Sequence, residues 1–180
     1  ELNDTAVVVG AGMIGLFVIQ ALRAAGCGKI VAIDIEQEKL DLASRLGADE
    51  VLRADLVDVP AEVSKLTENR GADVALEVVG NTAALNTAIS SLRKGGIVTV
   101  VGNLAPTADF PLQFVVTRQI TVNGSCASCG EYPACLDMIA SGKINVDVLL
   151  SQVAPLSEGA AWFDRLYNKE QGLMKVILEL

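Results

Sequence analysis

The sequence predicts an α/β protein with a doubly wound, parallel sheet of six strands, followed by a C-terminal tail of helical and extended segments. Two observations lead to this fold class. Short apolar segments alternate with helix-patterned segments along most of the chain, and few residues separate them. The first apolar segments are hydrophobic at almost every position, as parallel strands buried on both faces are. Strand–helix repeats of this kind pair through right-handed crossovers, which place helices on both faces of the sheet.

The first strand–helix unit carries a glycine motif. Thr5–Gly10 is predicted to be a buried strand, and Met13–Ala25 a helix that ends at Gly26. Between them, residues 10–15 read Gly-Ala-Gly-Met-Ile-Gly and match the pattern G-x-G-x-x-G. The pattern is weak alone. It becomes specific when a buried strand precedes it, a helix follows it and an acidic residue lies about twenty residues further on.

The second predicted strand, Lys29–Asp34, provides that acidic residue, because Asp34 lies nineteen residues after Gly15. We therefore interpret the glycine turn as a cradle for the pyrophosphate of a dinucleotide. The Asp34 carboxylate would accept hydrogen bonds from the adenosine ribose and would repel a 2′-phosphate, which favours NAD over NADP. Ile35 follows it, so no arginine is present there to compensate. Lys39, one helical turn further on, could bond the ribose, serve a phosphate or simply be solvated.

Each glycine of the cradle has an expected role. Gly10 permits the tight turn, Gly12 lets the backbone approach the pyrophosphate, and Gly15 lets the helix pack close to the strand. The amide groups at the start of the helix point at the anion and are supported by the helix dipole. Met13 and Ile14 therefore belong to the predicted site.

The later elements continue the alternation. The predicted helices are Gln37–Leu46, 60–69 and Ala83–Leu92, and the predicted strands are 50–52, Asp73–Val78, Ile97–Val101 and Gln119–Asn123. Gly80, Gly102 and Gly124 follow the last three strands. Three glycines at one edge of a sheet indicate a long bound molecule that needs close backbone approach. Glu77, near the same edge, is expected to be solvated or to have a capping role.

The tail does not continue the pattern. It gives a helix from Glu131 to about Ser141, an irregular segment over Ile144–Pro155, a helix over Glu158–Tyr167 and a strand over Met174–Leu178. The last part fits no strand–helix–strand unit. We therefore divide the chain into a dinucleotide-binding domain, residues 1–143, and a return segment, residues 144–180, which is expected to pack on a domain absent from this chain.

Composition argues against several classes of function. The net charge of −8 and the pI near 4.5 leave no basic face for nucleic acid or for an anionic membrane. The longest apolar run, Ala6–Ile19, is too short to span a bilayer. No signal segment opens the chain, and four cysteines are few for 180 residues, so we expect a cytoplasmic protein.

Candidate catalytic and metal-binding residues are scarce. No histidine is present, so the commonest general base and metal ligand is missing. Cys126, Cys129 and Cys135 are spaced in a way that suggests zinc, but a tetrahedral site needs four ligands, and Cys27 lies far away in the sequence. We predict no catalytic residue, no metal ligand and free thiols. The chain also starts inside a strand-like segment without Met, so we expect it to be part of a longer protein.

Several short motifs follow one another in a fixed order. They are Gly10–Gly15, Asp34, and residues 46–49, 71–73, 77–80, 95–96, 124–125 and 175–178. In that order they resemble the coenzyme domain of zinc-dependent medium-chain dehydrogenases, and within that family the sorbitol, threonine and other polyol dehydrogenases. The resemblance covers essentially the whole chain and implies a Rossmann fold.

The resemblance also implies roles for individual residues. Lys39 matches a lysine that contacts the adenosine ribose, and Ile35 and Val79 match residues that flank the adenine. Residues 101–103 match the segment that lines the nicotinamide, and Lys175 matches a basic position near the phosphates. The predicted cofactor-binding residues are Gly10, Gly12, Met13, Ile14, Gly15, Asp34, Ile35, Lys39, Val79, Gly80, Val101, Gly102, Asn103, Gly124, Ser125 and Lys175.

In this family, a zinc ion bound by a separate N-terminal domain polarises the substrate oxygen for hydride transfer. The resemblance therefore implies the cofactor half of an NAD-dependent oxidoreductase of alcohols or polyols, with zinc only in the missing catalytic domain. This chain alone is expected to bind NAD(H) without turnover. The region of strand six commonly forms the dimer interface in the family, so the resemblance leaves open whether this protein is a homo-oligomer.

Two alternatives remain. One is a non-catalytic NAD-sensing regulatory domain, which needs no histidine. The other is the cofactor domain of a zinc-independent medium-chain reductase. Many such reductases prefer NADPH, whereas Asp34 favours NAD, so Asp34 argues against this alternative.

Overall fold

A computed structural model describes residues 2–168 and 170–180, and the chain divides into two compact units between Glu131 and Tyr132. The strands of the first unit are β1 Thr5–Val9, β2 Lys29–Asp34, β3 Glu50–Arg53, β4 Ala72–Glu77, β5 Leu92–Val100 and β6 Thr121–Gly124. They form one sheet in the order β3-β2-β1-β4-β5-β6, and every pair is parallel. The predicted doubly wound, six-stranded sheet is therefore confirmed. The strand order reverses between β1 and β4, where such sheets bind ligands.

Five helices connect these strands. They are α1 Met13–Ala24, α2 Gln37–Arg45, α3 Val59–Leu66, α4 Thr82–Ser90 and α5 Leu112–Arg118. The helix α5 was not predicted, because it has seven residues and buries only Val115, so its apolar pattern is short. None of the helices in the described ranges is long and apolar enough to cross a membrane.

The core explains the uniformly apolar first strands. Val7, Val31 and their neighbours in β1 and β2 are fully buried, because these strands lie in the middle of the sheet with helices packed against it. At the edge of the sheet, all four residues of β6 are exposed. Burial on both faces removes the alternation of polar and apolar residues that a half-exposed strand would show.

Several element boundaries differ from the predicted ones for local reasons. The helix α3 ends before residue 69 because Glu68 and Asn69 have left-handed backbone conformations, with φ of 54° and 65°. The strand β6 starts later than expected because Gln119, with φ of 56°, ends α5 in the left-handed region. The strand β5 starts earlier, at Leu92, and its pairing with β4 is irregular.

The second unit contains α6 Tyr132–Ala140, β7 Gln152–Pro155, α7 Gly159–Tyr167 and β8 Val176–Glu179, with two short 3₁₀ turns. The strands β7 and β8 pair in parallel on either side of α7 in the sequence. The expectation that this part holds no strand–helix–strand unit is therefore wrong. Its first strand escaped notice because it has four residues, of which only Ala154 is buried.

The division between the units lies earlier in the chain than the expected one after residue 143. The helix α6 has no buried residue, and it lies within the unit Tyr132–Leu180. Residues 132–143 therefore belong to the second unit.

Candidate cofactor-binding site

The glycine turn between β1 and α1 is shaped by close backbone contacts. Gly10 has φ of +104°, and a Cβ there would lie 2.8 Å from Cγ2 of Val79. A Cβ on Gly15 would overlap the carbonyl oxygen of Gly10. Gly12 differs, because a Cβ there would meet no atom within 4 Å. Two of the three glycines are thus required by packing within the protein, and the third faces open space.

Asp34 connects the end of β2 to this turn. Its Oδ2 accepts a hydrogen bond from the Ala11 amide at 2.7 Å. Its Oδ1 accepts from the amides of Ile35, at 2.7 Å, and Glu36, at 3.0 Å. The carboxylate is half-buried and lies at the wall of a cavity, so it both fixes the glycine turn and faces any ligand bound there.

The first cavity, of about 510 Å³, lies at the carboxyl ends of the strands around the reversal point of the sheet. The predicted residues that line it are Gly10, Gly12, Asp34, Ile35, Lys39 and Val79. Glu36, Asp55 and Asn81 line it as well and were not predicted. Glu36 and Asp55 are acidic residues just after the ends of β2 and β3, and that position was the signal available in the sequence.

Acidic side chains dominate the charge of the first cavity. Three carboxylates, those of Asp34, Glu36 and Asp55, line it together with a single basic residue, Lys39. The Lys39 ammonium is paired with Glu36, with 2.6 Å between Nζ and Oε1. Asp55 is bonded at 2.6 Å by the guanidinium of Arg53, which holds the pKa of the Asp55 carboxyl below its usual value.

A second cavity, of about 850 Å³, lies along the ends of β4, β5 and β6. The predicted residues that line it are Ile14, Val79, Val101, Gly102, Asn103, Gly124 and Ser125. Val78 and Val79 line both cavities, so the two together form one elongated cleft. We name this combined space the strand-end cleft.

The remaining predicted residues lie elsewhere. Met13, Gly15 and Gly80 line neither cavity. Lys175 is exposed in the second unit, directly before β8.

The turns after β4 and β5 are in direct backbone contact. Gly80 has φ of +88°, and a Cβ there would overlap the amide nitrogens of Asn103 and Leu104. A Cβ on Gly102 would in turn overlap the amide nitrogen of Gly80. Glycine is therefore required at these two positions because any side chain would clash with the backbone of the other turn. Gly124 is different, since nothing lies within 4 Å of its Cβ position at the wall of the second cavity.

Of the two roles expected for Glu77, solvation is wrong, and a capping role agrees with the structure. The residue is completely buried at the end of β4. Its Oε1 accepts hydrogen bonds from the amides of Val79 and Gly80, both at 2.8 Å. Its Oε2 is buried without a hydrogen-bond partner in the part of the chain that the structure describes.

The cysteines are free thiols. Cys126, Cys129 and Cys135 are exposed, and Cys27 is buried, which raises the pKa of its thiol. Among residues 2–168 and 170–180, no group of three potential ligands of the His, Cys, Asp or Glu type could hold a metal ion.

Comparison with known proteins adds independent information. Residues 14–141 match the family model described as zinc-binding dehydrogenase. The sorbitol dehydrogenase of Bacillus subtilis is 30% identical over 178 residues, which are 98% of this chain and 50% of that protein. The (R,R)-butanediol dehydrogenase of Neisseria gonorrhoeae is 31% identical over 183 residues, covering 99% of this chain and 51% of that protein.

A solved structure of an alcohol dehydrogenase is also similar to this chain. The alcohol dehydrogenase TADH from Thermus sp. ATN1 superimposes with a TM-score of 0.91 at 33% identity, covering 100% of this chain and 52% of that one. This chain thus spans about half the length of the curated relatives it matches.

Proposed function

This chain belongs to the zinc-binding dehydrogenase family of oxidoreductases, and on that premise we propose that it is the NAD(H)-binding half of an enzyme that transfers hydride between nicotinamide and an alcohol or polyol, or its ketone. One observation carries the proposal. The strand-end cleft runs along the carboxyl ends of the strands at the reversal point of the sheet, and the open side of Gly12 faces it. Dinucleotides bind at that place in such sheets.

The start of α1 suits a pyrophosphate. Gly12 is the N-cap of this helix, no side chain caps it, and its first turn contains no acidic residue. The first amides of a helix lack partners within the helix, and the helix dipole favours an anion there. A pyrophosphate could therefore accept hydrogen bonds from the amides of Met13 and Ile14.

The charge of the first cavity supports NAD as the cofactor. The 2′-phosphate of NADP would enter a cavity lined by three carboxylates and by one lysine that already pairs with Glu36. A ribose hydroxyl of NAD can instead donate to Oδ2 of Asp34, which accepts one hydrogen bond, from the Ala11 amide, and has a second acceptor site. To donate a hydrogen bond to the adenosine ribose, Lys39 would have to divide its donors between the ribose and Glu36.

The second cavity would hold the nicotinamide end. When bound, the nicotinamide ring supplies the carbon that accepts or donates hydride. This chain contributes a wall of valine and glycine residues, including Val101 and Gly102, which would position the ring and keep water from one face. We assign no proton transfer to this chain.

We further propose that the substrate-binding residues and a zinc ion belong to a catalytic domain outside this chain. This fits the fact that the chain spans about half the length of its relatives. The second unit also carries exposed apolar side chains, among them Leu156, Phe163 and Tyr167. Exposed apolar residues of this size suit burial against another domain.

Cofactor titration tests the proposal. We expect the purified chain to bind NADH more tightly than NADPH, measured by calorimetry and by the fluorescence of the bound reduced nicotinamide. The Asp34→Ser variant should lose affinity for NADH more than for NADPH, because the serine hydroxyl neither repels a 2′-phosphate nor offers two acceptor oxygens. Millimolar or weaker binding of NADH by the unmodified chain would contradict the proposed function.

A further inference from the structure

Glu77 accepts four backbone hydrogen bonds at the end of β4. Its Oε1 accepts from the amides of Val79 and Gly80, both at 2.8 Å. Its backbone carbonyl accepts from the amides of Val101, at 2.8 Å, and Gly102, at 2.9 Å. This single residue therefore bonds both the turn that follows β4 and the turn that follows β5.

These two turns leave no space to shift independently. A Cβ on Gly80 would overlap backbone atoms of the second turn, and a Cβ on Gly102 would overlap the backbone of the first. Because the backbones are in direct contact, a displacement of residues 79–80 must move residues 102–104. The side chain of Glu77 thus helps to set the position of both turns.

Both turns form walls of the strand-end cleft. Val79 lines both cavities, and Val101 and Gly102 line the second. We propose that Glu77 is a positioning residue that holds the nicotinamide end of the cleft in its binding geometry; this inference rests on the proposed function. Small displacements of a wall matter because binding groups must be held within a fraction of an ångström.

The other oxygen of Glu77 indicates that the carboxyl group is not there for stability alone. Oε2 is buried with no partner within the described residues, whereas both oxygens of Asp73, at the other end of β4, are hydrogen-bonded. A buried polar atom without a partner destabilises a fold. An apolar side chain would avoid that cost but could not hold the amides of Val79 and Gly80.

The test compares ligands that occupy different parts of the cleft. AMP should occupy only the first cavity, whereas NADH should occupy both. We expect the Glu77→Ala variant to lose at least about tenfold more affinity for NADH than for AMP. Emission of NADH bound to this variant should also shift towards that of free NADH. The Glu77→Gln variant keeps one acceptor oxygen, so its selective loss should be smaller, about threefold.

Asp73→Asn is the matched control, because it alters a buried carboxyl group on the same strand far from the cleft. It should lower the melting temperature and leave the ratio of NADH to AMP affinity unchanged. A Glu77→Ala variant with the ratio and emission of the unmodified chain would overturn the inference. If that variant does not fold, an unchanged ratio in Glu77→Gln overturns it instead. Failure of the unmodified chain to bind NADH would reject the proposed function as well, which distinguishes the two failures.

Discussion

Replacement of Glu36 by glutamine is expected to reduce the preference of this chain for NADH over NADPH. Glu36 lines the first cavity, and its carboxylate lies 2.6 Å from the ammonium of Lys39. The substitution removes one negative charge next to the proposed adenosine ribose. It also frees Lys39 to pair with a 2′-phosphate.

The size of the effect follows from two electrostatic contributions. Removal of a unit charge about 5 Å from the added phosphate, in a site open to water, relieves about 1 kcal/mol of repulsion. A lysine released from an exposed ion pair adds about 0.2–1 kcal/mol. Together these terms predict that the ratio of NADPH to NADH affinity rises by roughly 5–30-fold.

Fluorescence titrations with NADH and NADPH at low ionic strength measure this ratio directly. Glu38→Gln is the matched control, because Glu38 lies in the first turn of α2, two residues after the N-cap Glu36, but lines neither cavity. The effect of Glu36→Gln should shrink at high salt, where exposed charges are screened. An affinity ratio within about twofold of the unmodified chain, or an equal shift in the control, would refute the reasoning.

Three further outcomes are expected. Asp73→Asn should lower the free energy of unfolding by about 2–4 kcal/mol in urea denaturation at pH 7, because Asp73 is buried and bonded by Arg70 and Arg93. The Arg70 hydrogen bond lowers the pKa of the Asp73 carboxyl in the folded protein. The ionised Asp73 therefore contributes its full stabilisation above the unfolded pKa of about 3.9, and this stabilisation is lost as the pH falls further. The free energy of unfolding of the variant should accordingly fall less between neutral and acidic pH than that of the unmodified chain. Gly15→Ala should prevent α1 from packing on β1 and unfold the chain or destabilise it severely in thermal melts, because the new Cβ overlaps the Gly10 carbonyl. Gly12→Ala should lower the stability by only about 0.5–1 kcal/mol, because alanine is a poorer N-cap than glycine. It should nevertheless weaken NADH binding in calorimetry, because its Cβ enters the open space of the cradle; unchanged binding in this variant would contradict the position of the pyrophosphate.

The parts of the fold that the sequence predicted correctly are those with strong local signals. The strands β1 and β2 are apolar at almost every position because both faces are covered, and each is joined to a helix of at least nine residues. The parts that escaped prediction are short. The helix α5 has seven residues and β7 has four, so neither contains enough positions for an apolar period to emerge.

The residues of the candidate site likewise fall into those that the sequence predicted and those that it did not. Residues of the glycine turn and Asp34 lie within one strand–helix–strand unit, and their spacing in the sequence reflects their spacing in the fold. Glu36 and Asp55 follow different strands, so their common cavity exists only once β2 and β3 have paired. For Glu77 the sequence left solvation and capping open, because a glutamate after apolar residues gives no sign of whether amides of the following turn will bond its carboxylate.

The two carboxyl groups of β4 illustrate the proposed division between stability and binding in this sheet. Asp73, at the amino end, is neutralised by arginines and fixes the start of the strand. Glu77, at the carboxyl end, is held by backbone amides, and the turns it bonds form the wall of the strand-end cleft. The same end of the sheet is fixed by Gly10 against Val79 and by Gly80 against Gly102. Because these contacts join backbone to backbone, to the buried side chain of Glu77 or to the half-buried side chain of Val79, the cleft is formed by the fold itself. Cofactor binding then requires little rearrangement of the sheet, and substitutions that loosen these contacts should reduce affinity even where they touch no ligand atom.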